Sequence, residues 1–567
     1  MPGPTRARGR RSLAFISLTL ALILVACQGA PADPGATSAA SAKPVSGGTA
    51  RIGLPQEPAS LNPYLVSQGA TTRVLLTTLE GLIGVQPDGE FFAQLARDVP
   101  TPQNGGVSAD GRVVTYKLRD GVKWSDGQPL TSSDVQFTWQ AIMATANKVV
   151  SRAGYDLIDG IDVPDALTVV VRYKQPYAPY LTRFPYVLPK HVLGALPDMN
   201  AAPFNRKPVG TGPFVVTEWV SGDRITLTKN PNYRLSGQPY LDGITFLVVP
   251  SREAGLARIK TGDLDVLWDL TESSTPEFKS STDMRLTVTG SINVERLVLN
   301  LAKPGNPAVA DQPHPILGDV RVRKALQAAT DIPTIATRLY EGQVKPTGSV
   351  IHAGWAAVEI KPPTYDTAAA KRLLDEAGWV PGADGIRVKA GQRMVLTVNS
   401  TAGDKARELL EQVLQEQWKA VGIQLDIKNL DSTALLAPYA SNGPRARGSF
   451  DMLLYSTGAD VDPDAHVYGY FHSSQIPTEA NKGAGSNFSR YVNPKVDAAL
   501  TTARTEVDQA KRKVAYAEAQ RLMAEDVPHL LLFVRQSINA FRTAMRGNTP
   551  NPWQNFTWDT QNWWKQR

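Results

Sequence analysis

Alternation of apolar and polar positions opens the patterned part of the chain: Gly48-Thr49-Ala50-Arg51-Ile52-Gly53-Leu54 predicts a strand. β-Branched runs bounded by Asp and Gly predict strands over 113–118 (Val-Val-Thr-Tyr-Lys-Leu) and 168–173 (Thr-Val-Val-Val-Arg-Tyr). Ser133-Asp134 reads as the cap of a helix carrying Val135, Phe137, Trp139 and Ile142. Residues 214–229 read as a hairpin turning at Ser221-Gly222-Asp223, and 244–249 as a buried strand. Further on, Tyr365-Asp366-Thr367 opens a helix that runs through Leu374 and stops at Gly378. A strand over 394–398, an amphipathic helix over 405–420 and a strand over 423–427 follow. Such a strand–helix–strand series implies an α/β fold, with a parallel or mixed sheet carrying helices on its faces. No internal repeat and no coiled-coil heptad interrupts it.

The first residues follow another logic. Arg6, Arg8, Arg10 and Arg11 precede an apolar stretch over 13–26, which ends in Leu24-Val25-Ala26-Cys27. Basic, then apolar, then small residues make a secretory signal. The stretch is shorter than the roughly 20 apolar residues of a membrane span. Cys27 is the only cysteine of the chain, and its setting resembles the bacterial lipobox. That resemblance implies an acylated Cys27 as first mature residue, and an extracytoplasmic protein held to the membrane by lipid. Without a second cysteine there is no intramolecular disulfide, so core burial must carry stability. Residues 27–46 are dominated by Ala, Pro, Ser and Gly and read as a flexible tether.

Charge then loses most of its weight. The formal net charge is +7, but removing the four arginines of 1–26 leaves 56 basic against 53 acidic side chains. With no dense Lys/Arg stripe elsewhere, a nucleic-acid partner is rejected. A folded part of roughly 520 residues exceeds one hydrophobic core and calls for two or three lobes.

Several segments, in order, then resemble one family. They are Gln56-Glu57-Pro58-Ala59-Ser60-Leu61-Asn62-Pro63, Leu118-Arg119-Asp120-Gly121-Val122-Lys123-Trp124-Ser125-Asp126-Gly127 and Thr131-Ser132-Ser133-Asp134-Val135. Pro208-Val209-Gly210-Thr211-Gly212-Pro213-Phe214, Lys229-Asn230-Pro231-Asn232-Tyr233 and Gly262-Asp263-Leu264-Asp265-Val266 follow. Asp319-Val320-Arg321-Val322-Arg323-Lys324-Ala325-Leu326 and Ala377-Gly378-Trp379 complete the set. Together they resemble the family 5 extracytoplasmic solute-binding proteins of ABC importers, the oligopeptide, dipeptide and nickel cluster. The resemblance implies a two-lobed periplasmic-binding-protein-like fold of type II with an extra inserted lobe. Main lobe I would combine 47–86, 207–300 and 528–567. Lobe II, 87–206, would lie away from the ligand cleft, and lobe III, 301–527, would face lobe I across it, hinged near 300 and 528. The implied partners are a peptide-like or other polar solute and a membrane permease; the implied protein is a monomer with no cofactor. A carbohydrate receptor of the same fold stays open as an alternative.

Residue by residue, the family's amine anchor follows the strand ending in Tyr455. Counted without a gap it falls on Ala459, with Asp460 one step away. Asp460 is the candidate anchor for an amine or hydroxyl; capping of the turn and helix at Pro463, with Asp462, is the equal alternative. The loop Asn399-Ser400-Thr401-Ala402-Gly403 holds no cation for a peptide carboxylate. Trp268 is either a stacking residue or core. Tyr340 and Trp355 belong to a stretch that approaches the cleft in relatives, and Gln68 to Thr72 would form another wall. Trp553, Trp558, Trp563 and Trp564 fall beyond the matched region and read as packing of the tail. The six histidines form no His-x₃-His pair, so no metal site is expected. His466 and His472 stand near the implied cleft, where a chelated metal is conceivable. Gly210-Thr211-Gly212-Pro213 lacks the Lys-Ser/Thr of a P-loop and reads as a tight loop. No Gly-x-Ser-x-Gly or His-Glu-x-x-His supports the rival from another class, a secreted hydrolase.

Overall fold

Two long strands organise this chain. A computed structural model describes residues 43–249, 251–278, 280–306 and 312–566. Cys27, the leader and the tether as far as residue 42 lie outside the described residues. Among those described, no helix is long and apolar enough to cross a membrane.

Strand β1 (Thr49–Leu54) comes first, where the alternation predicts it. β2 (Ile83–Val85) and β3 (Phe91–Ala93) make a small hairpin. β4 (Val113–Lys117), β5 (Ile158–Asp165) and β6 (Thr168–Tyr173) form a three-stranded antiparallel sheet. β7 (Phe214–Val220) and β8 (Arg224–Lys229) are the expected hairpin around residues 221–223. β9 (Gly243–Val248), β10 (Val266–Leu270), β11 (Met284–Leu299) and β12 (Lys345–Pro346) follow. After a satellite sheet of β13 (Val380–Pro381), β14 (Arg387–Lys389) and β15 (Gln392–Arg393) come β16 (Val395–Asn399) and β17 (Gln424–Ile427). β18 (Met452–Gly458) and β19 (His529–Arg542) complete the frame.

A single mixed sheet runs β17-β16-β18-β11-β19-β10-β1-β9-β8-β7, with β12 added on β19. β11 and β19, 16 and 14 residues long, pair antiparallel from Met284↔Arg542 to Val298↔His529. The C-terminal half of β11 also pairs with β18, whereas the C-terminal half of β19 pairs with β10. The register slips between Gly290 and Val294, where the sheet passes from one lobe to the other. β11 advances four residues there against two on β19, and such an irregularity bends the strand and raises its twist, which suits a hinge. The two long strands end at Leu299 and begin at His529, beside the expected crossings near 300 and 528.

The cores divide less finely than the segments. One buried cluster lies under β16 to β19 and holds Trp379, Trp418 and Tyr516. Another joins β1, β7, β8 and β9 to the inserted segment, with Trp124, Phe184 and Phe204 fully buried. Residues 87–206 thus share a core with the main lobe.

Local details refine the sequence reading. The helix expected at Ser133-Asp134 starts one turn-end earlier, at Ser132, with Thr131 as its cap. Thr131 N donates to Asp134 Oδ2 at 2.8 Å, so Asp134 is the third helical residue of a reciprocal capping box and not the cap. The Gly210-Thr211-Gly212 loop lies against helix Gly69–Thr78. A Cβ on Gly210 would stand 1.8 Å from the Thr78 carbonyl oxygen, so backbone passes backbone there and only glycine fits.

Candidate functional site

β18 ends by delivering a run of acids. Its last residues lead into Ala459-Asp460-Val461-Asp462-Pro463-Asp464, and helix Asp464–Phe471 begins at the end of that run. Side chains alternate through it. Ala459 turns into the core and is 6% exposed, so Asp460 turns outward and is open to solvent. That alternation separates Ala459 from Asp460 and leaves Asp460 as the one that faces outward.

The three aspartates meet different fates. Asp464 is buried and receives Arg504 through Nε and Nη2, both at 2.9 Å. Asp462 is buried, accepts Arg512 at 2.8 and 2.9 Å, and accepts the Asp464 N–H at 3.1 Å. Asp462 thus ties the turn that leads into the helix, whose cap residue is Pro463, and Asp460 takes no part in it. Asp460 has no hydrogen-bond partner among the described residues. Surrounding protein weakens hydration of its carboxyl and raises its pKa; Arg183 pulls it back and Asp462 pushes it further.

Asp460 lines a cavity of about 480 Å³ drawn from distant parts of the chain. Thr72 and Leu76 of helix Gly69–Thr78, the β2–β3 hairpin with Phe91 and Phe92, and residues 181–183, 185 and 186 form one side. Asp460, Val461, Asp462 and Ala465 form another, and Trp553, Gln554, Asn555 and Trp558 of the tail close it. The volume falls within the range of small-molecule sites, and aromatic rings with a few polar groups are the usual lining of one. The charged lining residues are Arg183, Asp460 and Asp462, of which Asp462 is already paired. Arg183 donates to Ala153 O at 2.8 Å and Thr182 Oγ1 at 2.9 Å, and its Nε is buried without an acceptor. Burial works against its charge, but the neighbouring phenols of Tyr177, Tyr155 and Tyr173 keep it protonated. The site thus offers one unpaired carboxylate, one cation and an aromatic wall.

The other sequence candidates stand elsewhere. Trp268 is 8% exposed, lies 3.2 Å under the Arg73 guanidinium and stacks on Phe556, which makes it core with a cation–π cover. Gln68 precedes helix Gly69–Thr78 and accepts the Ala59 N–H at 2.8 Å; of the expected wall, Thr72 is the residue that reaches the cavity. Tyr340 is buried against Phe533 at 4.6 Å. Trp355 packs on Tyr516 and under Arg512, behind the Asp462 pair. The segment 87–206, expected to stand away from the ligand cleft, contributes Phe91, Phe92, Arg183 and Tyr186 to this cavity. Arg183 and the tail residues were missed as site residues. A ring of distant segments leaves no local pattern, although the unexplained tail tryptophans were a signal.

Metal chemistry finds little purchase. His466 is buried with Nε2 unpartnered, beside Arg296, and burial holds its pKa well below the ordinary value. His472 stacks on Tyr468 and accepts the Ser474 N–H. Among the described residues no group of three or more His, Cys, Asp or Glu side chains stands together.

A sheet crossed by two long strands, with a cavity drawn from the segment after β18, the β2–β3 hairpin, helix Gly69–Thr78 and the tail, suits a solute-binding receptor. A family model described as "Bacterial extracellular solute-binding proteins, family 5 Middle" matches residues 93–478. The chain belongs to that family, whose members are extracytoplasmic receptors of ABC importers. It is 31% identical to Protein XP55 of Streptomyces lividans, over 85% of this chain and 82% of that protein. It is 27% identical to the oligopeptide-binding protein AppA of Bacillus subtilis, over 98% of this chain and 99% of AppA. The crystal structure of that AppA with a nonapeptide superposes with a TM-score of 0.76 over 93% of this chain and 100% of AppA, at 26% identity. NikZ of Campylobacter jejuni, solved with Ni(L-His), gives 0.77 at 24% identity over 91% and 99%, which is likeness of fold.

Proposed function

We propose that this protein is a non-catalytic, monomeric receptor, anchored through a lipid on Cys27, that captures a peptide-like solute and presents it to an ABC permease. The observation that carries the ligand class is Asp460. In a run of three aspartates it alone lacks a cation in contact, and it opens into the cavity beside Arg183. A carboxylate of this kind takes an ammonium group, and Arg183 sits across the same space for a ligand's negative end. AppA of Bacillus subtilis, solved in complex with a nonapeptide, supports peptide as the first chemistry to try.

The test is affinity for the alanine peptides of two to six residues, by calorimetry, with native mass spectrometry of the protein as purified. Asp460→Ala should weaken binding by roughly 2–5 kcal/mol, about 30- to several-thousand-fold, because a charge-assisted contact in a closed site is lost. Its melting point should barely move. Early melting with affinity intact would remove Asp460 from the site. A neutral sugar in the mass spectrum would overturn the peptide reading, and steady substrate turnover that follows the purified protein would overturn the receptor reading. For the anchor, Cys27→Ser should release the protein into the soluble fraction; a variant that stays membrane-bound and is processed normally would refute it.

A further inference from the structure

The tail tryptophans have a use beyond packing. Residues 551–557 are fastened to the main-lobe side. Asn551 Nδ2 and Gln554 Nε2 both donate to Val85 O, at 2.9 and 3.1 Å, and Thr557 Oγ1 donates to Arg73 O at 2.8 Å. Phe556 stacks between Trp268 and Trp563, within the core shared by β1 and the inserted segment. One ring leaves that body. A Cβ built on Gly354 would stand 2.8 Å from Trp553 Cη2 and 3.3 Å from Cζ2. Gly354 lies in a loop whose neighbours Ile351 and Ala356 belong to the other core, under β16 to β19. On the near side, a Cβ on Gly89, in the β2–β3 turn, would stand 3.3 Å from Trp553 Nε1. The indole is therefore held between two glycines, one from each lobe, and it lines the cavity as it crosses.

We propose that Trp553 is an interlobe clasp: the tail carries the ring on lobe I, and lobe III closes by seating Gly354 on it. Shape alone holds the contact. The Trp553 N–H is buried without an acceptor, so closure leaves a donor unsatisfied that opening would return to water. Such a contact favours the closed form without locking it, which a receptor that must release its solute requires. Glycine at 354 is needed twice over, since its φ of +81° also suits no ordinary side chain. The clasp rests on the receptor reading only in that the lobes must part to admit a solute; it does not depend on that solute being a peptide.

The experiment reads the lobes directly. In the full chain carrying Cys27→Ser, spin labels at Thr228→Cys on β8 and Lys371→Cys on helix Thr367–Glu376, both exposed, report the interlobe distance. It is measured without ligand and with millimolar trialanine. Trp553→Ala should lower the closed-to-open ratio roughly tenfold, the usual scale for truncating a central interface tryptophan. Gly354→Asn, which tolerates positive φ best but still places a Cβ on the ring, should lower it similarly. Melting of both variants checks that each is folded, and the second approaches the contact from the other lobe if the first is not. Unchanged distance distributions in both variants overturn the clasp. So does a shift in Trp553→Ala alone, which would confine the ring's role to lobe I, and so does a wild type with no closed population in either condition. If both variants shift but trialanine moves no distance, the clasp stands and the peptide reading is what fails.

Discussion

Two clusters of charge flank β18, and they are finished differently. On the hinge side, Glu295 of β11 is fully buried and accepts Arg407 Nε at 2.7 Å and Arg535 Nη1 at 3.1 Å. Arg535 also lies 3.5 Å from Glu272 and Arg407 3.7 Å from Asp404, so every acid of this cluster has an arginine in contact. On the cavity side, Asp462 and Asp464 each take an arginine, and Asp460 takes none. Buried ions are costly unless paired, so a matched network is what a scaffold requires. A mismatch of one, left where solvent can reach it, is what a ligand can complete. The position of the unpaired acid, and not the density of acids, separates the site from the frame.

The sharpest way to break this contrast is to unbalance the matched side. Glu295→Ala leaves two guanidinium groups in the hinge without their shared partner. Breaking a buried pair costs about 3–5 kcal/mol, so denaturant unfolding should show a loss of that order. The cavity-side substitution Asp460→Ala should by contrast leave unfolding almost unchanged while affinity falls. A loss below about 1 kcal/mol for Glu295→Ala would mean that the hinge network is no more structural than an exposed pair.

The sequence carried the frame further than the site. β1, β6, the 214–229 hairpin and helix Lys405–Lys419 were legible because each rests on a local pattern of alternation, turn residues or helical spacing. The helix cap slipped from Thr131 to Ser133-Asp134 because an acid in the first turn resembles a cap until its partner is known. Asp460 was legible through its place after a strand. Trp268, Gln68, Tyr340 and Trp355 have chemistry that serves a ligand and a core equally well, and packing, which the sequence does not display, puts each away from the cavity. Arg183 and Trp553 were hidden for the opposite reason. Their positions carry no motif, and they matter only because 181–186 and the tail arrive at the same space as β18.

A smaller effect sharpens the comparison beside the hinge network. Glu411 lies on the helix that carries Arg407, is fully buried, and accepts Asn429 Nδ2 at 2.6 Å through one oxygen while the other has no partner. Burial pushes its pKa up to about 7, above the ordinary value of about 4.3. The folded protein holds this proton more tightly than the unfolded chain. Its contribution to stability is therefore complete below about pH 4.3 and is lost as pH rises through about 7. Melting points taken from pH 4.5 to 8 should fall across that window, and Glu411→Gln, a neutral isostere, should flatten the fall. An equal slope in the variant would assign the pH dependence to another group.

The smallest expected effect belongs to Asp460 itself, without ligand. Its carboxyl is raised from the ordinary value, chiefly because the protein around the cavity weakens its hydration. A raised acid favours folding when protonated, so its contribution is present below the unfolded pKa and is lost as pH rises through the folded one. Above the unfolded pKa the ligand-free protein is therefore less stable than it would be with a neutral group of the same shape. Asp460→Asn removes the charge and keeps the shape. It should melt slightly later than wild type at pH 7, and the difference should shrink as pH falls and the aspartate takes up its proton. The same variant should bind an alanine peptide less well. Stability gained with affinity lost is the signature of a charge kept for a ligand, because an acid kept for the scaffold loses both together. Equal or earlier melting of Asp460→Asn at pH 7 would place Asp460 with Glu295 as part of the frame.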